Sequence, residues 1–157
     1  RTLSMNQNNE PAHIYRSRRV LILGCGYIGL DIALRLSESG NLVKMMDIDS
    51  TTFSRIPTDR LESHRIEPVH GDGTFVDDLR RASADHQIDV FIAVSGVTSV
   101  NIISAQLAQH IIKIPNVLCV VDDEDIEEIY SQMGLQILNR RKLAVEHILI
   151  DAMEQNK

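Results

Sequence analysis

Three glycines follow a short aliphatic run near the amino end of the chain. Residues 20–23 are all aliphatic and lead directly into Gly24, Gly26 and Gly29, at G-x-G-x-x-G spacing. Gly24 permits a sharp turn out of a strand, Gly26 lets a phosphate approach the backbone without meeting a Cβ, and Gly29 lets a helix pack close to the strand. The first amides of that helix then point at the phosphate, and the helix macrodipole favours the negative charge. The pattern predicts a phosphate-binding turn between a strand and a helix.

An acidic residue ends the next apolar run. Residues 42–46 are followed by Asp47, about 20 residues beyond the glycines, where a carboxylate can accept hydrogen bonds from ribose hydroxyls. Strand, glycines, helix, strand and acid therefore appear in the order of a dinucleotide-binding unit. The alternative is a tight turn followed by an aspartate that caps a helix. The order of the parts favours the nucleotide-binding interpretation.

Composition and charge narrow the possible classes. A chain of 157 residues fits one domain with a sizeable core, and 43% hydrophobic residues with only 4% aromatics indicate an aliphatic core, as in helix-flanked parallel sheets. The net charge of −6 argues against non-specific nucleic-acid binding, which needs Lys and Arg to neutralise phosphates. Cys25 and Cys119 lack metal or redox spacing, which is typical of reduced, packed thiols in a cytoplasmic protein. No signal peptide or apolar segment of membrane length is evident.

The hydrophobic pattern predicts strands and helices in regular alternation. Residues 1–18 are interpreted as a polar tail or linker, and residues 19–157 as one domain. The six predicted strands span residues 20–23, 42–46, 66–69, 88–94, 117–121 and 135–138. With right-handed crossovers, this alternation predicts a doubly wound, Rossmann-like α/β fold: a six-stranded, mainly parallel sheet with helices on both faces. Its ligand crevice is expected at the carboxyl ends of the first and fourth strands.

The helix boundaries follow from local signals. Gly40 and Gly134 are expected to end helices, and Thr74 is expected to cap a helix that runs to about residue 83. A long helix is predicted from Thr98 to about residue 113, where Pro115 follows. The acids at residues 122–125 suit the N-terminus of a helix better than a metal site.

Several motifs together resemble one known family. The glycine turn at residues 24–29, the acids Asp47 and Asp49, the turn at residues 70–74 and the strand that begins near Asn116 look like one domain type. It is the nucleotide-binding domain of Trk/Ktr potassium-transport regulators, called the RCK domain (regulator of potassium conductance) or TrkA-N domain. Asn101, with two apolar residues after it, adds to the likeness. The match covers roughly residues 19–155.

The resemblance implies a ligand-sensing module in the cytoplasm, peripheral to or fused to a membrane potassium channel or transporter. Such a module binds NAD(H), or alternatively ATP, ADP or AMP, and couples that binding to gating. The residues implied to contact the ligand form four groups, for the phosphates, the ribose and pocket rim, the adenine side and the other flank. They are Gly24, Gly26, Tyr27, Ile28 and Gly29; Asp47 and Asp49; Asp72, Gly73 and Thr74; Ser95 and Gly96. For Asp72, a structural role as a turn acid is an equal alternative.

The sequence also departs from the family pattern. Tyr27 stands where many members place an arginine that could reach a phosphate, so that cation is absent from this position. Asp47 disfavours a 2′-phosphate, which argues against NADP. Some nucleotide-switched members carry an acid near a metal at the start of the last helix, but Arg140 and Arg141 stand there, so no metal is predicted. His70, near Asp72, is interpreted as a loop histidine.

The last predicted helix, residues 140–155, has a wide apolar face. In the resembled family the corresponding helix crosses to a partner subunit, so Val145, Ile148, Leu149 and Met153 predict a homodimer that can assemble further into a ring. The alternative is that this helix covers the sheet of its own chain.

An oxidoreductase is the alternative function, because the same fold can hold NAD for hydride transfer. A fusion to a different effector is a third possibility. Only one helix is predicted after the sixth strand, so no second domain supplies a general acid and base, and Tyr130 and Lys142 do not have the spacing of short-chain dehydrogenase chemistry. The enzyme interpretation therefore requires the chain to be a fragment, and we expect a regulatory domain rather than an enzyme.

Overall fold

A six-stranded sheet forms the centre of the domain in the computed structural model, which describes residues 16–154. Its strand order is β3-β2-β1-β4-β5-β6, and every neighbouring pair is parallel. The strands are β1 Arg19–Leu23, β2 Leu42–Asp47, β3 Ile66–His70, β4 Val90–Ala93, β5 Asn116–Val121 and β6 Gln136–Asn139. The predicted Rossmann-like fold is confirmed, and within the described residues the sheet is wholly parallel.

Helices alternate with these strands along the chain. They are α1 Tyr27–Glu38, a 3₁₀ helix Ser50–Arg55, α2 Thr58–Glu62, α3 Val76–Ser83, α4 Thr98–Leu107 with a π-helical continuation Ala108–Ile112, α5 Glu124–Gln132 and α6 Arg140–Glu154. Gly40 and Gly134 follow α1 and α5 with φ of +88° at both, a conformation that glycine adopts without strain. The predicted ends of these two helices are confirmed.

The sheet is covered on both faces. Leu21 and Ile22 are adjacent in β1 and both 0% exposed, so opposite faces of the same strand are buried. Leu21 belongs to a core cluster that also includes residues of α3 and α4, whereas Ile22 belongs to a second cluster with Ala33 of α1. This double burial explains why the strands are continuous aliphatic runs instead of alternating ones.

The strand order reverses beside β1. The chain moves from β1 outward to β2 and β3, and then returns to place β4 on the other side of β1. The connection after β1 runs toward β2, whereas the connection after β4 runs the opposite way toward β5. A crevice therefore opens at the carboxyl ends of β1 and β4. This is the position expected from the order of the predicted elements.

Two local predictions differ from the structure. The strand predicted over residues 88–94 is only Val90–Ala93. The predicted cap of α3 is wrong, because Phe75 occupies the N-cap position and the Thr74 hydroxyl donates to Asp72 Oδ1 at 2.6 Å. Short polar side chains often bond to nearby groups in a turn in this way, which removes them from the helix end. The predicted tail, residues 1–18, lies outside the described residues except for 16–18.

Helix α6 is attached to the domain through its first turn. The Arg140 guanidinium donates to both carboxylate oxygens of Asp122, at 2.9 and 2.7 Å, and Asn139 Oδ1 accepts from the Lys142 amide at 3.0 Å. This ion pair lowers the pKa of Asp122 and raises that of Arg140. Residues 141–154 are exposed, so α6 does not cover the sheet of its own chain. None of the helices within residues 16–154 is both long and apolar enough to span a membrane.

Both cysteines should be unreactive in the folded protein. Cys25 and Cys119 are 0% exposed, and burial raises the pKa of both thiols, that of Cys119 to about 12. Because the thiolate is the reacting form, we expect no labelling by an aromatic disulfide reagent at about pH 8 in the native state. Unfolding in guanidinium chloride should release both thiols and provides the control. Rapid labelling of the native protein would contradict this packing.

Candidate functional site

Asp47 joins the glycine turn to the loop beyond β2. Its Oδ2 accepts a hydrogen bond from the Cys25 amide at 2.8 Å, and its Oδ1 accepts one from the Asp49 amide at 2.9 Å. A carboxylate has about four acceptor positions, so both oxygens can still accept from a ligand hydroxyl. Asp47 therefore holds the turn in shape and keeps acceptor capacity for a ligand.

The three glycines of the turn have different surroundings. A Cβ on Gly29 would lie 1.9 Å from the Gly24 carbonyl oxygen, and one on Gly24, whose φ is +109°, would lie 2.8 Å from the Ser95 backbone. A Cβ on Gly26 would meet nothing within 4 Å. Gly24 and Gly29 are thus required for packing, whereas Gly26 faces open space at the start of α1.

A crevice of about 150 Å³ lies at the carboxyl ends of the central strands. Six of the predicted site residues line it: Gly24, Asp47, Asp72, Gly73, Thr74 and Ser95. Ligand pockets for whole small molecules usually enclose about 300–1,000 Å³, so this crevice can enclose only part of a nucleotide. The remainder of such a ligand would lie on the open surface of the glycine turn.

The other predicted residues lie outside this crevice. Tyr27 and Ile28, in the first turn of α1, are 79% and 43% exposed. Gly26 and Gly96 are also exposed, whereas Gly29 is buried in α1. The structure therefore separates the predicted set into residues that line the crevice, an exposed rim at the start of α1, the exposed Gly96 after β4 and the buried Gly29.

Asp49 caps the 3₁₀ helix. Its Oδ1 accepts from the Thr51 hydroxyl at 2.7 Å and from the Thr51 amide at 3.0 Å, and these bonds lower the pKa of the carboxyl. The capping role considered for Asp47 in the sequence is thus observed at Asp49. Asp49 is exposed, and its expected place at the rim of a ligand pocket stays a prediction.

Asp72 has the turn role that was its structural alternative. Its Oδ1 accepts from the amide and hydroxyl of Thr74, at 2.9 and 2.6 Å, and its amide donates to Asp78 Oδ2 at 2.8 Å. This amide bond is the main cause of the lowered pKa of Asp78. His70, interpreted as a loop histidine, has its Nε2 2.9 Å from the Ile48 carbonyl oxygen and fixes the same edge of the crevice.

Asn101 is a positioning residue whose role the sequence did not reveal. It is 1% exposed, and its Oδ1 accepts from the amide and hydroxyl of Ser95, at 2.9 and 2.6 Å. Its Nδ2 donates to the carbonyls of Ser95 and Val120, at 3.0 and 2.9 Å. Asn101 therefore fixes the end of β4 against β5. The Asn-apolar-apolar pattern was noted, but only the fold shows these partners.

Arg55 is the second residue that the sequence did not reveal. Its guanidinium carbon lies 4.9 Å from the centre of the Tyr27 ring, within the range of a cation–π contact. The sequence indicated that Tyr27 removes a cation from the start of α1. The structure shows that the 3₁₀ helix brings another cation to the same place.

The sequence matches the model of the TrkA-N domain family over residues 20–139. The chain belongs to the TrkA-N domain family. A relative from Streptomyces coelicolor, "Trk system potassium uptake protein TrkA", is 32% identical over 116 residues, which are 74% of this chain and 50% of the relative. The chain thus spans about half the length of that relative. The resemblance inferred from the motifs is confirmed.

Solved structures show the same fold. The GsuK RCK domain matches with a TM-score of 0.71 at 20% identity. The match covers 93% of this chain and 30% of the GsuK chain. The Kef CTD of Shewanella denitrificans, solved in AMP-bound form, matches with a TM-score of 0.69 at 17% identity. This match covers 88% of this chain and 81% of the Kef CTD chain. At these identities the likeness concerns the arrangement of the TrkA-N domain's strands and helices.

The glycines of this TrkA-N domain should respond differently to the same substitution. Gly29→Ala should lower the free energy of unfolding by at least about 3 kcal/mol, because its Cβ would overlap a backbone carbonyl. Gly26→Ala should change it by no more than about 1 kcal/mol, since Gly26 has extended dihedral angles that alanine adopts. Urea unfolding followed by circular dichroism measures both. Equal midpoints for the two variants would contradict the assigned packing.

Proposed function

We propose that this TrkA-N domain binds an adenine nucleotide, NAD(H) in the first place and otherwise ATP, ADP or AMP, as a signal for a potassium transport system. One observation carries the proposal: Asp47 is fixed against the glycine turn and also lines the crevice beside it. If a ribose hydroxyl of the nucleotide donates to this carboxylate, the phosphates of the same nucleotide lie near Gly26 and the first amides of α1. Asp72, Gly73 and Thr74 then face the adenine side, and Ser95 and Gly96 the other flank.

The names of similar proteins support both parts of this proposal. The Streptomyces relative is named as a potassium uptake protein, and the Kef domain was solved with AMP. We infer that the domain acts in the cytoplasm, fused to or docked on a membrane channel or transporter. There, ligand binding biases gating through a difference in affinity between two states.

The oxidoreductase alternative has less support. In the part of the chain that the structure describes, the crevice is lined by two carboxylates and two hydroxyls among apolar and glycine residues. Both carboxylates already accept hydrogen bonds from backbone amides of the turns that they shape. The proposal therefore assigns the nucleotide the role of a signal rather than of a reactant.

Nucleotide binding should raise thermal stability. At a concentration of about 100 times Kd, a ligand adds about 2.7 kcal/mol, which raises Tm by about 5–10 °C in a domain of this size. Differential scanning fluorimetry with NAD, NADH, ATP, ADP and AMP, followed by calorimetry, measures this. The proposal fails if none of them raises Tm.

The ribose role of Asp47 needs a ligand-side test, because Asp47→Ala also removes two bonds that shape the turn. Wild-type protein should bind ADP about tenfold more tightly than 2′-deoxy-ADP, since a hydrogen bond to a charged group contributes about 1.5–3 kcal/mol. Asp47→Ala should bind both weakly and equally. An unchanged preference in this variant would exclude the ribose contact.

We further propose that α6 forms a homodimer, which can assemble further into a ring. Val145, Ile148, Leu149 and Met153 recur at helical spacing and are 50%, 66%, 59% and 72% exposed. Apolar surface this continuous rarely persists on monomers, so a second copy of α6 is the proposed cover.

A matched pair of variants tests the α6 dimer. Ile148→Asp should give a monomer in light scattering at micromolar concentration, because the charge would be buried against the partner. Ile150→Asp, which lies off the apolar stripe on the same helix, should remain dimeric. A monomeric wild-type protein, or an equal effect of both substitutions, would refute the interface.

A further inference from the structure

Arg55 presents its charge at the start of α1. It is the last residue of the 3₁₀ helix, and its guanidinium carbon lies 4.9 Å from the centre of the Tyr27 ring. Tyr27 is the first residue of α1 and is 79% exposed. Within residues 16–154, Arg55 forms no salt bridge. The cation is therefore held over an aromatic ring beside the glycine turn.

The Arg55 guanidinium also acts electrostatically on two groups near the glycine turn. Arg55 is close enough to lower the pKa of Asp49, after the larger effect of the Thr51 hydrogen bonds, and it also acts on the buried Cys25 thiol within the turn. The Asp49 carboxylate is already bonded to Thr51 as a helix cap. Arg55 is thus within electrostatic range of the turn and of Asp49, and with no salt bridge among residues 16–154 its guanidinium remains available to an anionic ligand.

The N-terminus of α1 and the Arg55 guanidinium suit different parts of a ligand. The first amides of α1 and its macrodipole suit one phosphate group. A second linked phosphate extends beyond these amides and needs a separate positive partner. A guanidinium binds phosphate oxygens in bidentate fashion, and a stacked ring lowers the entropy lost when the arginine is ordered.

We propose that Arg55, positioned by the Tyr27 ring, selects ligands with two linked phosphates, an adenine dinucleotide or ADP, over the monophosphate AMP. This inference rests on the proposed nucleotide site and names the part of the ligand that decides affinity there. The Tyr27 ring acts through Arg55 and is a positioning group. The exposure of both side chains makes the selection sensitive to ionic strength.

Calorimetry with NAD, ADP and AMP on matched variants tests this selection. Arg55→Ala should weaken NAD and ADP about tenfold and AMP by no more than about twofold, because a charge-assisted bond is lost only for the second phosphate. Tyr27→Phe keeps the ring and should bind like wild type, whereas Tyr27→Ala should weaken NAD and ADP about threefold and leave AMP unchanged. Arg35→Ala removes the same charge in the last turn of α1, about 12 Å along the helix axis, and should change none of the affinities.

The results separate this inference from the proposed function. If wild-type protein binds none of the three ligands, the nucleotide site itself is refuted. If wild type binds them but Arg55→Ala leaves the ratio of ADP to AMP affinity unchanged, only the role of Arg55 is refuted. A loss in Arg35→Ala equal to that in Arg55→Ala would also overturn it, since the effect would then be one of net charge.

Discussion

The carboxylate of Asp47 is the group on which the glycine turn depends. At the end of β1, the Gly24 amide still donates to the Met46 carbonyl of β2, at 2.8 Å, but the Cys25 amide has moved beyond the strand and bonds to Asp47 instead. Cys25 is 0% exposed, and a buried amide without a partner costs about 1–3 kcal/mol. One side chain therefore sets the path of the turn, the direction of α1 and, through the Asp49 amide, the start of the loop after β2.

Asn101 has the corresponding role on the other side of the crevice. Its amide group is saturated by Ser95 and Val120, so the carboxyl ends of the neighbouring strands β4 and β5 are tied together on this side of the crevice. Buried polar groups that are fully bonded give a rigid and specific arrangement, because any displacement leaves one of them unpaired. The floor of the crevice is thus fixed, whereas Gly26, Tyr27 and Arg55 form a rim that is open to solvent.

Strand β5 also carries the attachment of α6. Its Val120 carbonyl accepts from Asn101, and Asp122, just beyond the strand, holds the Arg140 guanidinium at the first residue of α6. Beyond this turn α6 makes its apolar side chains available to a partner instead of to its own sheet. The same strand therefore contacts the crevice wall and the helix proposed to form the dimer.

The sequence by itself determined the order of the strands and helices, the family, the glycine turn and the position of Asp47. These features depend on hydrophobic period, on glycine conformation and on spacings within a single strand–helix–strand unit, all of which are local. Their assignment to a ligand stays a prediction. Only the tertiary structure decided that Asp49 is the helix cap, that Asn101 holds Ser95 and Val120, and that Arg55 stacks on Tyr27. The contacts of Asn101 with Val120 and of Arg55 with Tyr27 join residues far apart in the chain, and the packing of the whole sheet brings them together rather than any local pattern. The Asp49 cap is local, but the pattern of two nearby aspartates does not say which of them caps the helix.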